Sequence, residues 1–114
     1  MPSENTHIYF ADQIREKINN HILKRLISDH MDYYFLGSTF PDILFYSKDK
    51  QISKIAYNLH GEDGVPTNQI IFNLLDEIRF KKDKNNFSFI AGFLTHYAVD
   101  ITFTRWCSIY QDIK

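Results

Sequence analysis

From Phe87 to Phe103 the chain is apolar at nearly every position, with Phe89, Ile90, Phe93, Leu94, Tyr97, Ala98 and Ile101 spaced for a helix rather than a strand. A segment of this kind has to be buried among neighbours, which predicts the central helix of a bundle. Two polar residues interrupt it. His96 and Asp100 are four apart, so on a helix their side chains stack on one face. Burying an imidazole and a carboxylate on the most apolar helix needs compensation, because an unpaired buried charge costs on the order of several kcal/mol. A divalent cation would supply it, and so would a hydrogen bond between the two; the spacing alone does not choose.

The rest of the chain reads as helix as well. Thr6 is a candidate N-cap for a helix carrying His7, Phe10, Ala11, Ile14 and Ile18, and His21 to Tyr34 repeats the pattern with Ile22, Leu23, Leu26, Ile27 and Met31. A break is expected over Leu36–Asp42, where Gly37 and Pro41 fall. Ile52–Leu59 is a short helix closed by His60-Gly61. Pro66-Thr67 open a segment with the stripe Ile70, Ile71, Leu74, Leu75 and Ile78, and Asn85-Asn86 turn the chain into the central helix. With no alternating pattern and no repeat, the expected fold is all-α, a bundle of about five helices.

Composition narrows the function. At 114 residues the chain has room for one domain. Thirteen basic against fourteen acidic residues offer no block of positive charge, so duplex nucleic acid is not an expected partner. No apolar run reaches the roughly 20 residues that span a bilayer. The single cysteine, Cys107, cannot pair within the chain, and the N-terminus lacks a secretory pattern, so a cytoplasmic location is expected.

His7, Asp42 and His60 fall near expected helix ends or breaks, where a side chain is free to point at a common centre. Imidazole plus carboxylate is a donor set that suits zinc. His21 and His30 lie on a polar-faced helix and are read as surface or boundary residues.

The order of motifs carries a resemblance. Met1-Pro2-Ser3, Thr6-His7, Leu36-Gly37-Ser38-Thr39-Phe40-Pro41-Asp42-Ile43, Leu59-His60-Gly61 and Gly92-Phe93-Leu94-Thr95-His96-Tyr97-Ala98-Val99-Asp100 together resemble the successive signatures of bacterial zinc-dependent phospholipase C domains, over residues 1–103. The resemblance implies that Asp42, His60, His96 and Asp100 hold one zinc and that Asp100 with His7 reaches a second. It further implies that Asp42 orients or deprotonates the attacking water, and that the substrate is a phospholipid or another phosphodiester. Zinc suits this chemistry because it lowers the pKa of water from 15.7 to about 7. One to two ions are expected in this chain, against three in a complete domain.

Over Thr104–Lys114 the pattern is lost. The resemblance places His-Pro where Thr104-Arg105 stand, the histidine being a ligand of the third zinc. Codons exist for Phe103–Gln111 that, read one base back, spell His-Pro-Val-Val-Phe-Tyr-Leu-Pro. A frameshifted, truncated tail is therefore expected, with weak or absent catalysis and self-association through exposed apolar surface. Two other readings stand beside the hydrolase. One is a non-catalytic helical remnant or interaction module, which would bind no metal. The other is a nuclease acting on single strands, for which Tyr33, Tyr34, Phe45 and Tyr46 are candidate stacking platforms.

Overall fold

Side chains that accept backbone N–H groups set the helix starts. Ser3 Oγ accepts from Thr6 N at 3.4 Å, Asn20 Oδ1 from Leu23 N at 3.1 Å, and Asp49 Oδ1 from Gln51 N at 2.8 Å. The computed structural model describes residues 3–60, 69–81 and 84–113. Among them run α1 (Glu4–Glu16), α2 (His21–Ser28), α3 (Met31–Ile43), α4 (Lys50–Leu59), α5 (Gln69–Lys81) and α6 (Lys84–Ile113), with a 3-10 turn at Leu44–Tyr46. The all-α expectation holds, with six helices rather than five.

Several boundaries differ from the sequence reading. The cap of α1 is Ser3 and not Thr6, so His7 lies inside the helix. His21–Tyr34 is two helices, because the chain leaves helical geometry at His30, where φ is −137°. The expected break over Leu36–Asp42 is the body of α3. Asn85-Asn86 belong to the first turn of α6 instead of preceding it. The helix-closing role assigned to Gly61, and the Pro66-Thr67 start, lie outside the described residues.

α3 runs through the expected break for a physical reason. Gly37 and Gly92 are contact points, not turns: a Cβ on Gly37 would overlap the Phe89 carbonyl oxygen, and one on Gly92 would overlap the Tyr34 carbonyl oxygen. The two glycines let the backbones of α3 and α6 approach as no other residue would. Pro41, buried near the end of α3, removes one N–H where the helix is about to pass into the 3-10 turn.

Around this crossing the other helices are tied by buried hydroxyls. Tyr34 donates to the Ala11 carbonyl at 2.6 Å, Ser88 to Leu26 at 3.0 Å, and Tyr97 to Leu59 at 2.7 Å. These link α3 to α1, α6 to α2, and α6 to the end of α4. Burial pushes the Tyr34 and Tyr97 hydroxyls up to about 12, so both stay protonated donors at neutral pH. The core has two parts, Ala11, Ile27 and Tyr34 in one and Leu59, Ile71, Ile90 and Phe93 in the other. The central helix is not covered all round: Leu94 is 50% and Ile101 65% exposed. No helix among the described residues is long and apolar enough to cross a membrane.

Candidate metal centre

Three helices and one helix end bring His7, Asp42, His60, His96 and Asp100 together. His7 comes from α1, Asp42 from α3, His60 from the C-cap of α4, and His96 and Asp100 from successive turns of α6. His7 and His96 are fully buried, and their rings stack in parallel, with centroids 3.9 Å apart and planes at 11°. Asp42 is also buried.

The two carboxylates face the three imidazoles with both of their oxygens. Asp42 Oδ1 lies 2.9 Å from His60 Nε2 and 3.5 Å from His96 Nε2, while its Oδ2 lies 3.5 Å from His7 Nε2. Asp100 Oδ1 is 3.2 Å from His7 Nε2, and its Oδ2 is 3.1 Å from His96 Nε2 and 3.8 Å from His60 Nε2. Asp100 thus presents one oxygen to His7 and the other to His96 and His60. Two triads have donor atoms within 4.8 Å of one another: His7, His96 and Asp100, and Asp42, His60 and His96.

Hydrogen bonds on the far side of the rings fix what the near side can offer. His60 Nδ1 lies 2.7 Å from the Ala56 carbonyl, and His96 Nδ1 lies 2.7 Å from the Ser38 carbonyl. A carbonyl only accepts, so each Nδ1 carries the proton and each neutral ring turns a bare Nε2 lone pair inward. These Nε2 atoms are 3.4 Å apart and face two carboxylates. A backbone carbonyl on the outer nitrogen is the usual way a metal-binding histidine is oriented.

The centre is therefore crowded with acceptors and short of donors. Asp42 Oδ1, Asp100 Oδ1 and both ring nitrogens of His7 are buried without a hydrogen-bond partner among the described residues. Leaving such groups unpaired is costly. Positive charge at the centre, either protons on the Nε2 atoms or a metal ion, would resolve this. Burial alone would lower the His60 pKa. Its contact with Asp42, its bond to Ala56 and the charges of both aspartates outweigh that and raise it. Burial would likewise raise Asp100, yet His7 and His96 hold it well below the usual carboxylate range. The donor set, three imidazoles and two carboxylates, fits zinc.

All five residues singled out from sequence meet at this centre, and His21, which is exposed, and His30 at the start of α3 take no part in it. Asp42 arrives from a continuous helix rather than from a loop. Of the proposed stacking platforms, Tyr34 is core, Phe45 packs its ring against His60 and Tyr57, and Tyr46 donates its hydroxyl to Glu4. Tyr33 alone is exposed without a ring or hydrogen-bond partner for its hydroxyl described. Sequence reasoning missed the orienting carbonyls of Ser38 and Ala56, which no side chain announces.

Comparison with known proteins agrees with this chemistry. The sequence model of the family described as zinc dependent phospholipase C matches residues 6–103, from just before His7 to just after Asp100. No curated protein and no solved structure matches the chain significantly.

Proposed function

Because the chain belongs to the zinc-dependent phospholipase C family, we propose that it binds zinc through His7, Asp42, His60, His96 and Asp100 and hydrolyses a phosphodiester of phospholipid type. The observation that carries the reading is the pair of inward Nε2 atoms, with the Nδ1 of each ring set against the Ser38 or Ala56 carbonyl and each Nε2 facing the Asp42 and Asp100 carboxylates. A zinc ion supplies a Lewis acid that polarises phosphoryl oxygens and makes water a nucleophile at neutral pH.

The side chains divide the remaining work. His60 and His96 are ligands held in one tautomer, and Asp100 presents an oxygen to each side of the cluster. We assign to Asp42, whose Oδ2 lies 3.5 Å from His7 Nε2, the orientation and deprotonation of the attacking water that the family resemblance implies. Tyr97 steadies the end of α4 from which His60 projects, through its bond to the Leu59 carbonyl.

Thr104 stands where the resemblance puts a histidine ligand of a third zinc. We therefore expect this chain to bind one or two ions and to turn over slowly, which keeps a metal-binding but catalytically silent domain as the second reading. The test is hydrolysis of bis(p-nitrophenyl) phosphate and of a monomeric phospholipid, with zinc and with chelator. Zinc-dependent release above the Asp42→Asn background supports a hydrolase. Stoichiometric zinc with no such release, in the native chain and in Thr104→His alike, supports the silent domain.

A further inference from the structure

The three imidazoles of the metal centre are not equivalent. On His60 and His96 the outer nitrogen, Nδ1, lies 2.7 Å from a backbone carbonyl. On His7 neither ring nitrogen has a hydrogen-bond partner among the described residues, although the residue is only 1% exposed. Ala56, four residues before His60, gives its carbonyl to that ring. Ser3, four residues before His7, accepts the His7 backbone N–H at 3.0 Å, and its carbonyl does not serve the ring. No bond at the outer nitrogen therefore selects the tautomer of His7. Turning its Nε2 lone pair to an ion would leave a buried N–H unpaired at Nδ1.

The donors divide unequally as well. Asp42 Oδ1 and Asp100 Oδ2 lie with the Nε2 atoms of His60 and His96, two imidazoles and two carboxylate oxygens, which is the fourfold set that zinc takes. His7 Nε2 has the two remaining oxygens, Asp42 Oδ2 at 3.5 Å and Asp100 Oδ1 at 3.2 Å. His96 is within reach of both ends, but its one inward lone pair serves a single ion.

Resting on the zinc-site reading above, we infer that the centre loads in order. The ion at His60 and His96 binds first, and the ion at His7 binds at least about tenfold more weakly, the lower end of what a missing outer partner costs a ligand. Occupancy of the His7 end then follows the free zinc concentration while the other end stays filled.

The test titrates zinc into the metal-free full chain in competition with a chromogenic chelator, and two resolved steps are expected. Repulsion between two bound ions weakens a second step wherever it lies, so the variants carry the assignment. His7→Gln should abolish the weaker step and leave the tighter one within a few-fold of native, whereas His60→Ala should remove the tighter one. Circular dichroism verifies that both fold, and His7→Asn repeats the test with a shorter side chain.

Two steps of equal affinity, saturation at a single ion, a weaker ion that survives loss of His7, or a tighter ion lost with His7 overturns the ordering and leaves the metal centre standing. No zinc binding at all overturns the metal reading itself.

Discussion

The Nδ1 of His96 is 2.7 Å from the carbonyl oxygen of Ser38, a residue 58 positions earlier in the chain. This one bond links α3 to α6 and decides which nitrogen of His96 faces the centre. It also explains why the close crossing of those helices matters for function: without Gly37 and Gly92 the carbonyl would not reach the ring.

Removing an inward ligand should therefore act on metal binding more than on the fold. His60 sits at a helix end and is partly exposed, so His60→Ala should fold. Its zinc affinity should fall by more than the roughly 10- to 100-fold that losing an outer hydrogen-bond partner costs. Competition against a chromogenic chelator measures this. An affinity within a few-fold of the native chain would mean that His60 is not a ligand.

Gly92→Ala should act on the fold first. The new methyl group would meet the Tyr34 carbonyl oxygen and lie 2.8 Å from Ser38 N, both backbone atoms that cannot rotate away. Forcing the helices apart should cost about 1–3 kcal/mol or more. In a domain of this size that lowers Tm by roughly 4–8 °C for each kcal/mol. Thermal unfolding checks it, and a Tm within about 2 °C of native, roughly half the shift from 1 kcal/mol, would contradict the close crossing.

Protons and zinc should compete for the same lone pairs. The His60 pKa is raised in the folded chain, so its protonated form contributes stability that is full below the unfolded value of about 6.5 and is lost as pH rises through the folded value. Asp100, held low, contributes above the ordinary carboxylate range and loses this only as pH falls through its depressed value, so it stays constant between pH 6 and 8. The metal-free chain should then become less stable across that interval, while zinc binding, which needs the neutral rings, strengthens. The rise in Tm on adding zinc should grow from pH 6 to pH 8. A zinc effect that is flat or shrinks over this range would be inconsistent with histidine ligation.

The candidate site was legible in the sequence because its residues violate their surroundings. His96 and Asp100 stand out on an otherwise apolar helix, and three of the other four motifs each hold one potential ligand, His7, Asp42 or His60. The path of the backbone to that site was less legible. Gly37 and Pro41 are local signals for a break, but packing against α6 overrides them and keeps α3 helical to Ile43. The Asp29–His30 break inside the expected second helix carries no Gly or Pro and was missed for that reason. Leu94 and Ile101 fit the apolar pattern of a buried helix yet lie on its outer face, because periodicity says nothing about how many neighbours surround a helix. The orienting carbonyls of Ser38 and Ala56 belong to the backbone and could be seen only in three dimensions.

Zinc content of the purified chain, measured by elemental analysis after dialysis against buffered zinc, tests the central claim most directly. The account predicts at least one ion per chain, a Tm that falls on adding a chelator, and loss of both effects in a His96→Ala, Asp100→Asn double variant that still folds. A native chain that retains no zinc and melts at the same temperature with and without chelator would contradict it.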